Sequence, residues 1–183
     1  MLVRRRLPQA VCAVALSAVV AGMLALGFAL PAHAEGDWQT VKTEDKAIET
    51  ELPAPPKYEA VQLLSGQGFP YIMHQYVAEA DVRVFQVQTA VYPKDVYITP
   101  QVNIQGGLDA AAKSLEGGKW ANVNWTRHQG LVAADAVGSR AGQEIRMFSL
   151  LKGMRLVTLT YVGPPETARS EPVERFIKSL KVQ

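Results

Sequence analysis

The sequence predicts an α+β fold: an antiparallel β-sheet of about six strands flanked by helices, with an N-terminal β-hairpin. Strand-like alternation dominates residues 58–92 and 121–162, and the turns joining these runs are too short for parallel crossovers. Between the two runs the period changes, with Ile104, Leu108, Ala111 and Leu115 recurring at i, i+4, i+7 and i+11. A second helical pattern closes the chain: Val173, Phe176, Ile177 and Leu180 fall on one face, and Glu174, Arg175, Lys178 and Lys181 on the other.

The chain has 183 residues, room for one domain once its first stretch is set aside. Arg4, Arg5 and Arg6 precede an uncharged apolar run from Ala10 to Leu30, then Pro31 and the small-residue site Ala32-His33-Ala34. This order reads as a cleavable secretory signal peptide over residues 1–34, and so as a periplasmic or secreted protein. The alternative is an uncleaved membrane anchor, because spanning a bilayer takes ~20 apolar residues. Pro8 makes a poor twin-arginine signal, and the apolar run follows Cys12 instead of preceding it, so Cys12 is not a lipidation site.

Removing that segment takes away three arginines and no acidic residue, so the remainder carries about −1 instead of the +2 of the whole chain. A general affinity for nucleic acid is therefore not expected. Cys12 is the single cysteine, so disulfide, thiolate-metal and thiol-nucleophile chemistry leave with the signal segment.

Residues 35–57 are acidic and proline-ended. Trp38 and Val41 precede a Glu44-Asp45-Lys46 turn, and Ala47 to Leu52 alternates before Pro53-Ala54-Pro55-Pro56, which predicts a hairpin and then an extended segment. A flexible tether is the competing reading. Trp38 favours order, since a large aromatic in a tether would have nothing to pack on.

Residues 58–183 form the main α+β domain. Its first part reads as two long strands, Phe69 to Val77 and Val82 to Tyr92, reached through a Ser65-Gly66-Gln67-Gly68 turn and joined at Ala78 to Asp81. The helix after Pro100 is expected to be capped by Asn103, to firm up from Leu108 and to end at Gly117-Gly118. Four strands follow: 121–128, 131–138, 143–151 and 154–162, turning at Gln129-Gly130, Ser139 to Gly142 and Lys152-Gly153. In the closing helix Ser170 can cap, and Pro172 lies in the first turn where its missing N–H does no harm.

The strand-glycine-strand unit Gln143 to Val162, the proline loop and the ending Arg175-Phe176-Ile177-Lys178-Ser179-Leu180 resemble the C-terminal half of PsbP-like domains. The Trp-led hairpin ending in prolines, Trp38 to Pro56, is similar to how many bacterial members of that group begin. The resemblance implies an antiparallel sheet between helices and proteins that act mainly by docking onto others. It transfers no binding residue.

Catalytic patterns are weak. His74 and His128 lie far apart, each on a strand and outside any H-E-x-x-H spacing, so no metal or other cofactor is expected. Ser139 in Gly138-Ser139-Arg140-Ala141-Gly142 is one place early for a nucleophile elbow, and Gly66-Gln67-Gly68 lacks the third glycine of a dinucleotide loop. Asp135 and Glu144, on separate strands, read as solvated charges.

One local feature stands out. Arg127, Arg140, Arg146 and Arg155, with Trp125 and His128, are close enough in sequence for neighbouring strands to gather them into a docking patch for an acidic protein or an anionic envelope component. The competing reading is an ordinary solvated sheet face with its tryptophans in the core. The overall expectation is a non-enzymatic exported binding module of the bacterial cell envelope. The alternatives are a hydrolase-like enzyme with a site assembled around His74 or His128, and a small-ligand binder.

Overall fold

The computed structural model describes residues 38–183. The signal segment with Cys12, and residues 35–37, lie outside them. Strands β1 (Gln39–Lys42) and β2 (Ile48–Leu52) form the N-terminal hairpin; β3 (Lys57–Leu64), β4 (Pro70–Ala80) and β5 (Arg83–Val91) follow. Helix α1 (Pro100–Ala112) and a short 3₁₀ turn (Glu116–Gly118) lead to β6 (Asn122–His128), β7 (Leu131–Arg140), β8 (Gln143–Lys152) and β9 (Arg155–Gly163). Helix α2 (Glu171–Lys178) and β10 (Lys181–Val182) end the chain. Among these residues no helix is long and apolar enough to cross a membrane.

The main sheet is antiparallel throughout, with strands in the order β3-β4-β5-β9-β8-β7-β6, and β1, β2 and β10 make a second small sheet. The class is the expected α+β, with two more strands than the sequence indicated. Lys57–Leu64 is a full strand rather than a lead-in to the next turn. It is an edge strand exposed along most of its length, so it lacks the apolar alternation that would announce it. The two-residue β10 pairs with Ile48 and Glu49 of β2 and is too short to show any period.

One face of the sheet carries the principal core. Helix α2 and the small sheet pack Val173, Phe176, Ile177, Ile48 and Leu52 onto Phe85, Val87, Phe148, Leu150, Leu159 and Tyr161. Phe85 meets Phe176 edge-on at 5.4 Å and Tyr161 at 5.2 Å between ring centroids, contacts each worth about 0.5–1.5 kcal/mol beyond area burial. Trp38 meets Phe85 edge-on at 6.1 Å, and Arg175 lies 4.5 Å above the indole, so the hairpin is tied to both sheet and helix. Ser170 occupies the α2 N-cap, but its hydroxyl makes no capping bond.

The opposite face is covered by α1, where Ile104, Leu108 and Ala111 rest on Ala134, Ala136 and Met147. The alanines of β7 leave room for the helix to approach. Asn103 is not the cap: the helix starts one turn earlier, at Thr99 and Pro100, because proline's fixed φ suits a first helical turn, and Asn103 is instead buried inside it. The helix continues through Gly106 and Gly107, and Gly107 is one of its buried residues. The last hairpin turn is also shifted by one residue. Lys152 pairs with Arg155, so Gly153 and Met154 form the loop, with Gly153 at φ 57° in its first position as a two-residue turn of this kind requires.

Candidate functional site

The six residues picked out in sequence do not share a face. Arg146, on β8, is 3% exposed on the α2 side. Its Nε and Nη2 donate to the two Asp135 oxygens at 2.8 and 2.9 Å, and its Nη1 donates to Glu174 Oε1 at 2.6 Å and to the Ala168 carbonyl at 3.0 Å. Arg169 adds a second cation on Asp135 at 2.6 Å. Burial alone would raise the Asp135 and Glu174 carboxyl pKa values, but hydrogen bonds from Arg146 and Arg169 to Asp135, and from Arg146 and Lys178 to Glu174, outweigh it and hold both below the ordinary carboxylate range. Asp135 is thus an interior ion-pair partner and not a solvated charge, while Glu144 accepts the Ala168 N–H at 2.7 Å. Sequence spacing could not show this, because the partners come from β7, β8, the proline loop and α2.

Arg155 belongs to another neighbourhood. It bonds Asp45 in the β1-β2 turn and lies 3.4 Å from the Thr89 hydroxyl. Arg140 ends β7, cross-strand from Gln143 at the turn into β8. His128 contacts the Leu180 carbonyl through Nε2 at 2.8 Å and meets Phe148 edge-on, while His74 Nδ1 contacts the Tyr58 hydroxyl at 2.8 Å on β3. Neither histidine has a carboxylate or serine partner among the described residues, and no group of three His, Cys, Asp or Glu there could hold a metal.

Trp125 and Arg127 remain, and these two do come together. Their cross-strand partners are Ala134 and Val132, and Ala134 packs under α1, so both side chains lie on the α1 face of β6. They line an open groove of about 1340 Å³ between β6 and the N-terminal half of α1. Val102, Asn103, Gln105 and Asp109 form the helix wall, and Gln67 and Tyr97 close one end. That end is fixed by Gln67, whose side chain donates to the Tyr97 carbonyl at 2.9 Å. Its β3-β4 turn is itself braced by the Ser65 hydroxyl, which accepts from the Gln67 and Phe69 amides.

The groove presents apolar and aromatic surface to solvent: Trp125 is 41% exposed, Val102 73% and Tyr97 82%. Its polar groups are partly unspent. Arg127 uses Nη1 on the Gly130 carbonyl at 2.8 Å, and its other N–H groups have no acceptor among the described residues. Asn103 is 7% exposed, and its side-chain oxygen has no hydrogen-bond partner among the described residues. Helix α1 has no side-chain cap and no acidic residue in its first turn, so its positive end faces no compensating charge of its own. Asp109, the acid on this wall, accepts from Gln105 at 2.7 Å.

Among solved structures the chain is similar to the solution structure of cyanobacterial PsbP (CyanoP) from Synechocystis sp. PCC 6803. The TM-score is 0.51 at 11% identity, over 86% of this chain and 99% of that one. The fold is PsbP-like. At this identity the likeness concerns architecture alone. No family model matches the chain, and no curated protein sequence matches it. Within the PsbP-like sheet, the sequence signal that reached the groove was Trp125 and Arg127, two places apart on one strand. Tyr97, Val102 and Asn103 escaped it. Tyr97 lies in an irregular loop, Val102 lies off the apolar stripe of α1, and Asn103 read as a cap.

Proposed function

We propose that this chain is an exported interaction module of the bacterial cell envelope and that it docks a partner in the groove between α1 and β6. The observation that carries this reading is the grouping of exposed Trp125, Tyr97 and Val102 around a cavity that also holds Arg127. Tryptophan, tyrosine and arginine dominate interface hot spots because they combine large contact area with directed hydrogen bonds. By contrast, Arg146, Arg155, Arg169 and Arg175 are engaged in ion pairs within the chain. Export rests on the basic start, apolar run and Ala32-His33-Ala34 site of the sequence.

Affinity capture from envelope extract tests the docking half. A partner retained by the wild-type chain should be lost with Trp125→Ala and Arg127→Ala and kept with Ile72→Ala, which alters an exposed residue on β4. Equal loss with Ile72→Ala, or no loss with the groove variants, would contradict the proposal. The export half predicts that an osmotic-shock fraction contains a chain beginning at Glu35. Full-length chain in the membrane pellet would contradict it.

A further inference from the structure

The groove is bounded on one side by an open sheet edge. Strand β6 is the last in the seven-strand order and pairs with β7 alone, so along its seven residues the other edge is free among the described residues. Trp125, Thr126 and Arg127 all line the cavity. Successive side chains of a strand point to opposite faces, so three consecutive lining residues mean that the backbone edge itself faces the groove, not one set of side chains. Unpaired strand N–H and C=O groups are a template for another extended chain, and natural edges are usually blunted by proline, inward charge, a bulge or a cover. Strand β6 has no proline, its pairing with β7 runs from Asn122 to His128 without a bulge, and its inward charge is the single Arg127, which disfavours a basic strand and not an acidic one.

The chemistry beside this edge selects the occupant's charge. Arg127 retains donors unpaired among the described residues, and the α1 end contributes a partial positive charge with no acidic side chain in its first turn; the opposing charge, Asp109, lies further along the helix wall and accepts from Gln105 at 2.7 Å. Asn103, nine-tenths buried in the helix wall, carries a side-chain oxygen with no partner among the described residues, an acceptor for an N–H of the occupant. Trp125, Val102 and Tyr97 offer apolar contact to alternate side chains of a strand lying against them.

The other open edge, β3, differs. It carries exposed Tyr58 and Leu64, but Lys57 is paired with Glu79, and no residue of β3 lines this groove. Strand addition with pockets for alternate side chains is an established mode of peptide recognition, in which main-chain bonds supply affinity and side-chain contacts supply specificity.

We propose that the groove receives an extended acidic peptide segment of a partner protein, which adds to the free edge of β6 as an eighth strand and places a carboxylate between Arg127 and the N-terminal end of α1. This rests on the groove being the docking site, and the test separates the two ideas. The probe is an eight-residue synthetic peptide of alternating valine and threonine with two central glutamates, titrated into the isotope-labelled mature chain. Three matched peptides accompany it: one with lysines for glutamates, one N-methylated at odd positions and one N-methylated at even positions.

The expected result is saturable binding that slows hydrogen exchange at alternate β6 amides and shifts the Trp125 indole resonance. It should be weakened about tenfold or more by the lysine exchange and abolished by one of the two N-methylation patterns. Arg127→Gln should reduce the glutamate-over-lysine preference while leaving the β6 protection pattern in place. Shifts at Trp125 without β6 protection, or equal binding of both N-methylated peptides, would overturn strand addition and leave the groove reading standing. No binding of the glutamate peptide at millimolar concentration would also overturn it. Concentration-dependent dimerisation that protects the same β6 amides would assign the edge to a second copy of this chain instead.

Discussion

Arg146 and Arg127 lie on strands of the same sheet, two strands apart, and have opposite fates. Arg146 faces α2, where three segments converge on its guanidinium and leave it 3% exposed. Arg127 faces the α1 side, beyond the reach of the helix, and meets one backbone carbonyl. Desolvating an ion costs several kcal/mol, so a buried arginine persists only where its donors are matched, and a matched arginine has nothing left to offer a partner. The α2 face is therefore closed by its own contacts, whereas the α1 face ends in a groove with unspent donors. Charge density along the sequence cannot separate these cases; what packs over each strand does.

The largest effect should come from breaking the closed face. Arg146→Ala removes the main partner of Asp135 and Glu174 and should cost about 3 kcal/mol in urea denaturation, the low end for a broken buried ion pair, because Arg169 stays on Asp135 and Lys178 beside Glu174. A loss under 1 kcal/mol would mean that the cluster is more solvated than its geometry shows. Gly163→Ala should come next. An added methyl there overlaps the Tyr161 hydroxyl and Cζ, in a core where the Tyr161 hydroxyl donates to Thr167 Oγ1 at 2.6 Å. That direction follows because the Thr167 hydroxyl is already donating to the Pro164 carbonyl. Overpacking of this kind costs about 1–3 kcal/mol and should lower the thermal midpoint accordingly.

A smaller effect concerns acid. Because the folded-state pKa values of Asp135 and Glu174 are depressed, their contribution is fully present above the unfolded carboxylate values near ~4 and is lost as pH falls through the lower folded values. The stability of the wild-type chain should thus decline below about pH 4. That decline should be shallower in Arg146→Met, which removes the main partner of both carboxyls. The smallest stability effect belongs to the open face, where Trp125→Ala should stay within about 0.5 kcal/mol of wild type while abolishing partner capture. A large loss of stability would make Trp125 a packing residue and collapse the contrast.

Much of the architecture was legible in sequence because it rests on local period and turn chemistry. The Gln129-Gly130 turn separates β6 from β7 as read, the turn into β8 tightens from the expected Ser139 to Gly142 to Ala141-Gly142, with all four residues of the two turns at positive φ, and the stripe of Val173, Phe176 and Ile177 is buried as its spacing implied. The site was less legible. Trp125 and Arg127 were visible as a pair on one strand, but whether each arginine meets solvent depends on segments distant in sequence: α2 and the proline loop cover Arg146, and the β1-β2 turn reaches Arg155. The free edge of β6 is a property of strand order, which no single strand records. Trp120 shows the same limit, since it donates to the Leu108 carbonyl at 2.9 Å and packs under α1 while Trp125, five residues on, faces the groove.

Site-specific photo-crosslinking in intact cells tests the central claim most directly, with the crosslinking residue placed at Trp125 in one strain and at Ile72 of β4, also half-exposed, in another. The account predicts a discrete adduct from position 125 and none from position 72. An adduct from position 72 alone would move the interface to the β3 end of the sheet and contradict it.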